Sequence, residues 1–282
     1  MAGFVAPLGS WLVLEGYWRD TMEKAGFQKP FHMKEFAHCK GQFSCWAKKE
    51  APYPPDPQFE PQRRKLLVRL VEIILEANPV PIGAIVSIDG FNSLTETQRV
   101  AFRSPWHISF QVSTRGALIE GLPLSPLGKV DKVAMVYSHN EEFGTSRGNA
   151  EQLWFSMKGV PAFGKFMQSY TSSTPEEKIP LQVADLFSYE LCHEMEAITK
   201  APDRQMRWAL RTILSALIPR NGFMIRLLDH GELLRTLAES KYPDQTGVEE
   251  LSPDQMHIAM NSITKWMYDR AGVTIPMDLL RF

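Results

Sequence analysis

The pattern of apolar and polar positions predicts alternating helices and strands through most of the chain. Residues 62–77 carry leucine, valine and isoleucine at helical spacing, which is typical of an amphipathic helix. Two nearly continuous apolar runs, 81–88 and 130–137, are typical of buried strands. Helices and strands in alternation predict an α/β domain.

The remaining elements follow from the same periodicities and from capping residues and turns. Further strands are predicted at 4–7 and 165–172. Further helices are predicted at 10–26, 95–102, 106–122, 148–158, 179–191, 204–217, 229–239 and 252–269. The chain is therefore expected to have a core over residues 1–200 and a mainly helical C-terminal extension over 201–282 that packs on this core.

The helix predicted at 179–191 carries the strongest chemical signal. It is largely apolar but contains Asp185, and Gln182 lies three residues earlier on the same helical face. A carboxylate in so apolar a helix costs free energy unless something pairs with it. A metal ion, a basic side chain and a helix N-terminus all remain open as that partner.

Other acidic residues follow the predicted buried strands. Asp89 stands after the first of them, and Glu141 and Glu142 stand after the second. Carboxylates at strand ends suit a hard cation, and two such ions about 3.5–4 Å apart can stabilise a phosphoryl displacement. With Asp185 these residues predict a Mg²⁺ or Mn²⁺ site. Alternatively, Asp89 and Glu142 are solvated acids in turns.

The segment Phe-His-Met-Lys-Glu-Phe, which contains His32 and Glu35, adds a second set of polar residues. His32 is a candidate proton shuttle or phosphate contact, and Glu35 a candidate metal ligand or hydrogen-bond partner. A zinc site would need His32, His38 and either Cys39 or Cys45, but their spacing matches no standard zinc motif. Alternatively, His32 and Glu35 only tie this loop to the sheet.

A third candidate feature is the start of the helix predicted at 148–158. Gly144, Arg147 and Gly148 could bind a phosphate at that helix start. The chain contains no Walker or Rossmann pattern that would support a nucleotide-binding loop. Arg147 is therefore only a candidate substrate contact.

Composition places the protein among ordinary globular chains. Its 282 residues are 44% hydrophobic, and the net charge of -1 gives no global attraction to nucleic acid or an acidic membrane. Three scattered cysteines do not form a disulfide framework, which favours a reducing compartment. The apolar start lacks a basic flank, and no apolar stretch reaches the roughly 18 residues of a membrane span. We expect a cytoplasmic protein without a membrane partner.

Three segments in this order resemble the Domain of Unknown Function 3800 family. They are Ala-Gly-Phe-Val-Ala-Pro at 2–7, Phe-His-Met-Lys-Glu-Phe at 31–36 and Pro-Leu-Gln-Val-Ala-Asp-Leu at 180–186. The family consists of prokaryotic proteins often met near mobile elements. The resemblance covers roughly residues 1–240. It implies an RNase H-like mixed sheet flanked by helices, and metal-dependent cleavage of phosphodiesters in nucleic acid.

Residues and resemblance together predict a nuclease site. The expected catalytic residues are Asp185, Glu35 and His32. The expected ligands of Mg²⁺ or Mn²⁺ are Asp185, Glu35, Glu142 and Asp89. The expected substrate contacts are Gln182, Lys34 and Arg147.

The chain departs from the resembled family at its beginning. Family members usually open with a strand that carries an aspartate in an Asp-x-Ser-Gly-like turn, whereas this sequence opens at what resembles the second strand. Either the true start lies upstream, another segment fills the gap, or the chain is an inactive member. We therefore expect weak or no activity from the chain as it stands. The alternative function is a non-catalytic binding or assembly module whose C-terminal helices contact a protein partner.

Overall fold

The computed structural model describes residues 1–50, 52, 54–120, 132–138, 147–160, 164–200, 203–221, 224–240 and 270. The fold is mixed α/β, with about 63% helix and small sheets. This confirms the predicted fold class at that level, and the RNase H-like arrangement of the sheet stays a prediction. None of the described helices has the length and apolar character needed to cross a membrane.

The secondary-structure elements have the following bounds. The strands are β1 Ala2–Val5, β2 Val80–Val86, β3 Val133–Ser138, β4 Met167–Ser173 and β5 Met224–Leu228. The helices are α1 Leu8–Lys24, α2 Met33–Ala37, α3 Glu60–Ala77, α4 Ile88–Asn92, α5 Glu96–Phe102, α6 Pro105–Arg115, α7 Arg147–Lys158, α8 Ile179–Lys200, α9 Trp208–Asn221 and α10 His230–Ser240. Short 3₁₀ helices lie at Gly41–Trp46 and Pro57–Phe59, and a π-helical turn at Gly116–Glu120 extends α6.

The described strands form two small sheets. In the first the order is β1-β2-β5, with β1 antiparallel and β5 parallel to the central β2. In the second, β3 and β4 pair in parallel. The apolar side chains of β2 are covered by helices, as expected for its nearly continuous apolar run.

Part of the predicted C-terminal extension contributes to the central sheet and to the main core. β5, which the sequence analysis missed, pairs with β2 in the central sheet. The buried side chains of α9 also belong to the same hydrophobic core as those of α1 and α3. Residues 208–228 are therefore part of the core fold. The helix predicted at 252–269 lies outside the described residues.

Four helices supply most of the main core. α1, α3, α8 and α9 each place apolar residues at helical spacing toward a shared interior. Fully buried members include Leu14, Trp18, Leu70, Ile74, Val183, Phe187, Leu210 and Leu214. Trp18 and Phe187 are among the largest of these side chains, so they contribute much of the buried apolar area.

An aromatic cluster fixes the segment between α1 and α3. Phe27, Phe31, Phe36, Phe43 and Trp46 pack with ring centroids between 4.7 and 6.2 Å apart. Such aromatic pairs each contribute about 0.5–1.5 kcal/mol beyond area burial. The cluster holds α2 in place, although the sequence predicted only a loop there.

α8 lies directly against β1. A Cβ placed at Gly3 would lie 3.6 Å from the Cβ of Ala184, an ordinary van der Waals distance, so the strand and the helix are in direct contact here. The Ser188 hydroxyl donates a hydrogen bond to the Ala2 carbonyl at 3.0 Å. Pro180 lies in the first turn of α8, where its missing N–H costs no helical hydrogen bond. These contacts fix the position of the helix that carries Asp185.

Two glutamates of α8 are buried and lie beside arginines. Glu190 is 1% exposed and lies 3.0 Å from a terminal nitrogen of Arg207, and Glu194 is 0% exposed and accepts a 2.6 Å hydrogen bond from Arg270. Burial raises the pKa of Glu190, and the positive charge of Arg207 acts in the opposite direction. The Arg207 pair therefore links α8 to the start of α9.

The Arg207→Gln substitution should destabilise the protein by about 2 kcal/mol, because it leaves a buried carboxylate without its cation. This loss is smaller than the loss expected for a fully buried ion pair, because the Arg207 side chain is 33% exposed.

The size of the loss should depend on pH. The pKa of Glu190 is raised in the folded state, which means that ionised Glu190 opposes folding. The loss should therefore grow as the pH rises above the ordinary 4.5 of glutamate. Urea denaturation at about pH 5 and about pH 8 measures this difference. Arg211→Gln, an exposed change on α9 one turn after Arg207, is the matched control, and equal losses in the two variants would contradict the account.

Candidate functional site

The candidate site lies where the start of α2 meets α8. The backbone N–H of Met33, the first residue of α2, donates a 2.8 Å hydrogen bond to Oδ2 of Asp185. This N–H is free because the first hydrogen bond within α2 runs from Phe36 N–H to the His32 carbonyl. The sequence left a metal ion, a basic side chain and a helix N-terminus open as the partner of Asp185. The structure shows the N-terminus of α2 as one such partner.

His32 is a second partner of Asp185. Its Nδ1 lies 3.9 Å from Asp185 Oδ2, and its Nε2 lies 3.5 Å from Oε1 of Glu176. The imidazole therefore stands between two carboxylates, one on each ring nitrogen. The side chain of His32 is 33% exposed, so one side of the ring is open to solvent.

Glu176 is a site residue that the sequence analysis did not find. It lies in the turn over residues 175–177, just before α8, and its side chain is 57% exposed. The available signal was the Glu-Glu pair immediately before an apolar helix, a position that favours acids near the helix dipole. Nothing in that signal indicates that the carboxylate of Glu176 faces a histidine from the α1–α2 connection.

The two carboxyl groups differ electrostatically. Burial raises the pKa of Asp185, although the Met33 N–H and His32 both act to lower it. The pKa of Glu176 is lowered, mainly by hydrogen bonds from its own backbone N–H and from the Thr174 hydroxyl. The pKa values of the two carboxyl groups are therefore shifted in opposite directions from their ordinary values. An imidazole between two such groups is suited to proton transfer.

Gln182 has a structural role, and its role as a substrate contact stays a prediction. It is 6% exposed, and its side-chain oxygen accepts hydrogen bonds from Trp18 Nε1 and from the Phe31 N–H, both at 3.0 Å. Its amide nitrogen donates to the Pro175 carbonyl at 2.8 Å. These contacts hold the segment that carries His32 against α8.

Glu35 lies on α2 but is turned toward the following 3₁₀ helix. A side chain added at Gly41, which has a φ of +55°, would clash with the Glu35 carboxylate. Gly41 therefore makes room for this carboxylate, and no described contact joins Glu35 to Asp185. Lys34 is exposed in the first turn of α2, next in sequence to Met33.

Asp89 lies apart from the candidate site. It is exposed in the first turn of α4, beyond the carboxyl end of β2, and α4 packs against α10. Asp185 lies on α8, which packs on β1 and contacts α2. Glu142 is outside the described residues. Arg147 is the first residue of α7, and the structure does not describe the position of its side chain.

A Mg²⁺ or Mn²⁺ ion at the candidate site would need several side chains grouped around one point. Among the residues that the structure describes, no group of three or more His, Cys, Asp or Glu side chains could hold a metal ion. The side chains of His32, Asp185 and Glu176 carry atoms that can bind a metal ion. However, the structure shows only two separate contacts, one from His32 to each carboxylate. The described residues thus do not fit a centre built from Asp185, Glu35 and Asp89. The Mg²⁺ or Mn²⁺ prediction stays a prediction, with Glu142 as its undescribed member.

The same finding bears on the zinc interpretation. Cys39 is buried and Cys45 is exposed, and both are free thiols. Burial raises the pKa of the Cys39 thiol, which disfavours the thiolate that zinc requires. Within the described ranges, no group of three ligands forms from His32, His38 and these cysteines.

Comparison with known proteins identifies no relative. No family model matches the chain, and no match was found among curated proteins or solved structures. The resemblance to the Domain of Unknown Function 3800 family therefore stays a prediction based on three short segments.

Proposed function

We propose that the protein is a phosphodiester hydrolase of nuclease type in which His32 transfers the proton. The observation that carries the proposal is the position of its imidazole between Asp185 and Glu176, with one side open to solvent. Asp185 is itself anchored by the Met33 N–H. A base oriented by a third group that is fixed by the fold is a recurring arrangement in hydrolases.

The chemistry proposed for this site uses water as the nucleophile. Nε2 of neutral His32 takes a proton from water while the water oxygen bonds to phosphorus. The bond from phosphorus to the leaving sugar oxygen breaks, that oxygen takes a proton from solvent on the far side of phosphorus, and the imidazolium returns its own proton to solvent. Asp185 orients the Nδ1 side of the ring and stabilises the imidazolium, and exposed Glu176 moves aside for the substrate. The 3.9 Å separation between Nδ1 and Asp185 is expected to shorten when substrate binds.

Two observations favour a phosphodiester as the substrate. One is the motif resemblance, which is an argument by analogy. The other is Lys34, an exposed cation two residues from His32 that could neutralise a phosphate oxygen. The Mg²⁺ or Mn²⁺ ion expected from the resemblance would supply further charge stabilisation, and no step here depends on it.

Hydrolysis of single-stranded DNA should persist in EDTA, because the proposed proton transfer uses only His32 and its carboxylates. The measurement compares initial rates in EDTA, in Mg²⁺ and in Mn²⁺. Loss of activity in EDTA with recovery in Mn²⁺ would contradict the acid–base proposal. It would favour a metal-dependent mechanism in which Glu142 takes part.

The alternative function, a non-catalytic module that binds protein through its C-terminal helices, concerns residues 201–282, of which α9 and α10 are described and the part beyond Ser240 is mostly not. Beyond Ser240 the structure describes only Arg270, which pairs with Glu194. No described contact favours this alternative over the hydrolase, and it stays a prediction.

A further inference from the structure

A half-open cavity of about 360 Å³ lies between α2, α3 and the start of α9. Its volume is within the range of small-molecule sites, about 300–1,000 Å³. The side chain of Met33 lines the cavity, and the N–H of the same residue binds Asp185. A single turn of α2 therefore separates the cavity from the candidate site.

The walls of the cavity contain three arginines, two of which lie beside carboxylates. Arg63, Arg64 and Arg207 line it, and Glu60 is the acidic residue among the described lining side chains. Arg63 is held by Glu60 at 2.9 Å and by the Ala37 carbonyl at 3.3 Å, so it forms a fixed wall. Arg207 is likewise held by its buried ion pair with α8. An anion would meet guanidinium groups that are already oriented, which lowers the entropy cost of binding.

Arg64 differs from the other two arginines. It is exposed, and within the described part of the chain it has no ion-pair partner. The lining of the cavity also includes the apolar Leu67 and the half-buried aromatic Trp208. A ligand that satisfies this lining has an anionic group for the arginines and a flat apolar body for the aromatic wall. A nucleotide combines a phosphate with such a base.

We infer that this cavity binds one nucleotide of a single-stranded nucleic acid whose neighbouring phosphodiester lies at His32. The inference rests on the proposed function and names its substrate class. The phosphate contacts Arg64 and Arg207, and the base lies against Trp208. Cleavage and binding then use different residues, so the two can be tested separately.

The test is fluorescence anisotropy with a short labelled oligothymidylate whose phosphorothioate linkages resist hydrolysis. Arg64→Gln should weaken binding by about tenfold and lower the slope of log affinity against log salt by about 1. Trp208→Leu should weaken binding by about tenfold, with little change in that slope. Lys65→Gln is the matched control, since Lys65 is an exposed cation on α3 that does not line the cavity.

Two outcomes overturn the inference. One is a wild-type protein that does not bind the oligonucleotide, and the other is equal weakening by Arg64→Gln and Lys65→Gln. Because Arg64 is exposed, its variant should fold normally even if Trp208→Leu does not. Binding that depends on Arg64 in a protein without hydrolysis would refute the proposed function and retain this inference. A protein that hydrolyses DNA but binds the oligonucleotide equally well with Arg64→Gln would refute this inference and retain the proposed function.

Discussion

The Asp185→Asn variant is expected to lose phosphodiester hydrolysis by about 100-fold or more, the usual contribution of acid–base catalysis. The amide still accepts the Met33 N–H through its oxygen, so the start of α2 keeps its anchor. It cannot stabilise an imidazolium at His32 by charge. Initial rates at saturating substrate, measured beside the wild type, give the size of the loss.

The same variant should keep or slightly raise the melting temperature. Burial raises the pKa of Asp185, so its ionised form opposes folding above the ordinary value of 3.8, and a neutral amide removes that opposition. Asp203→Asn, an exposed change of the same kind, is the matched control for activity. An Asp185→Asn protein that is fully active would refute the site, and one that is unfolded would give Asp185 a structural role.

The Gln182→Met variant is expected to lose about 4 kcal/mol of unfolding free energy. Methionine matches the length of glutamine but leaves the indole N–H of Trp18 and the backbone N–H of Phe31 without an acceptor. Each buried donor left unsatisfied costs about 1–3 kcal/mol. Urea denaturation of the variant and the wild type measures the loss.

Gln152→Met supplies the control, because Gln152 is exposed on α7 and the same change there should alter stability by less than about 0.5 kcal/mol. Gln182→Met should also lower hydrolysis, since the Phe31 contact positions His32. A loss of stability at Gln182 no greater than at Gln152 would mean that its three hydrogen bonds contribute little.

Local patterns predicted many of the elements. The apolar runs gave β2 and β3 within a few residues, and the amphipathic repeat gave α3. β5 was missed because Met224–Leu228 is short and lies between two helices, so its strand character depends on pairing with the distant β2. Tertiary pairing of this kind leaves little trace in local periodicity.

The candidate site was predicted in part for a similar reason. Helical spacing placed Gln182 and Asp185 on one face, and both do contact the segment at 31–33. Spacing could not distinguish their roles, because the role depends on how many buried donors surround each side chain. The pairing of His32 with Glu176 joins segments far apart in sequence, so no motif could predict it.

The central claim is that His32 and Asp185 form one catalytic unit, and a double-mutant cycle on single-stranded DNA hydrolysis tests it most directly. The wild type, His32→Gln, Asp185→Asn and the double variant are compared after each is shown to be folded. The account predicts that the double variant is no slower than His32→Gln alone, because residues that act as a unit are not additive. Losses that multiply in the double variant, or a His32→Gln protein with full activity, would contradict it.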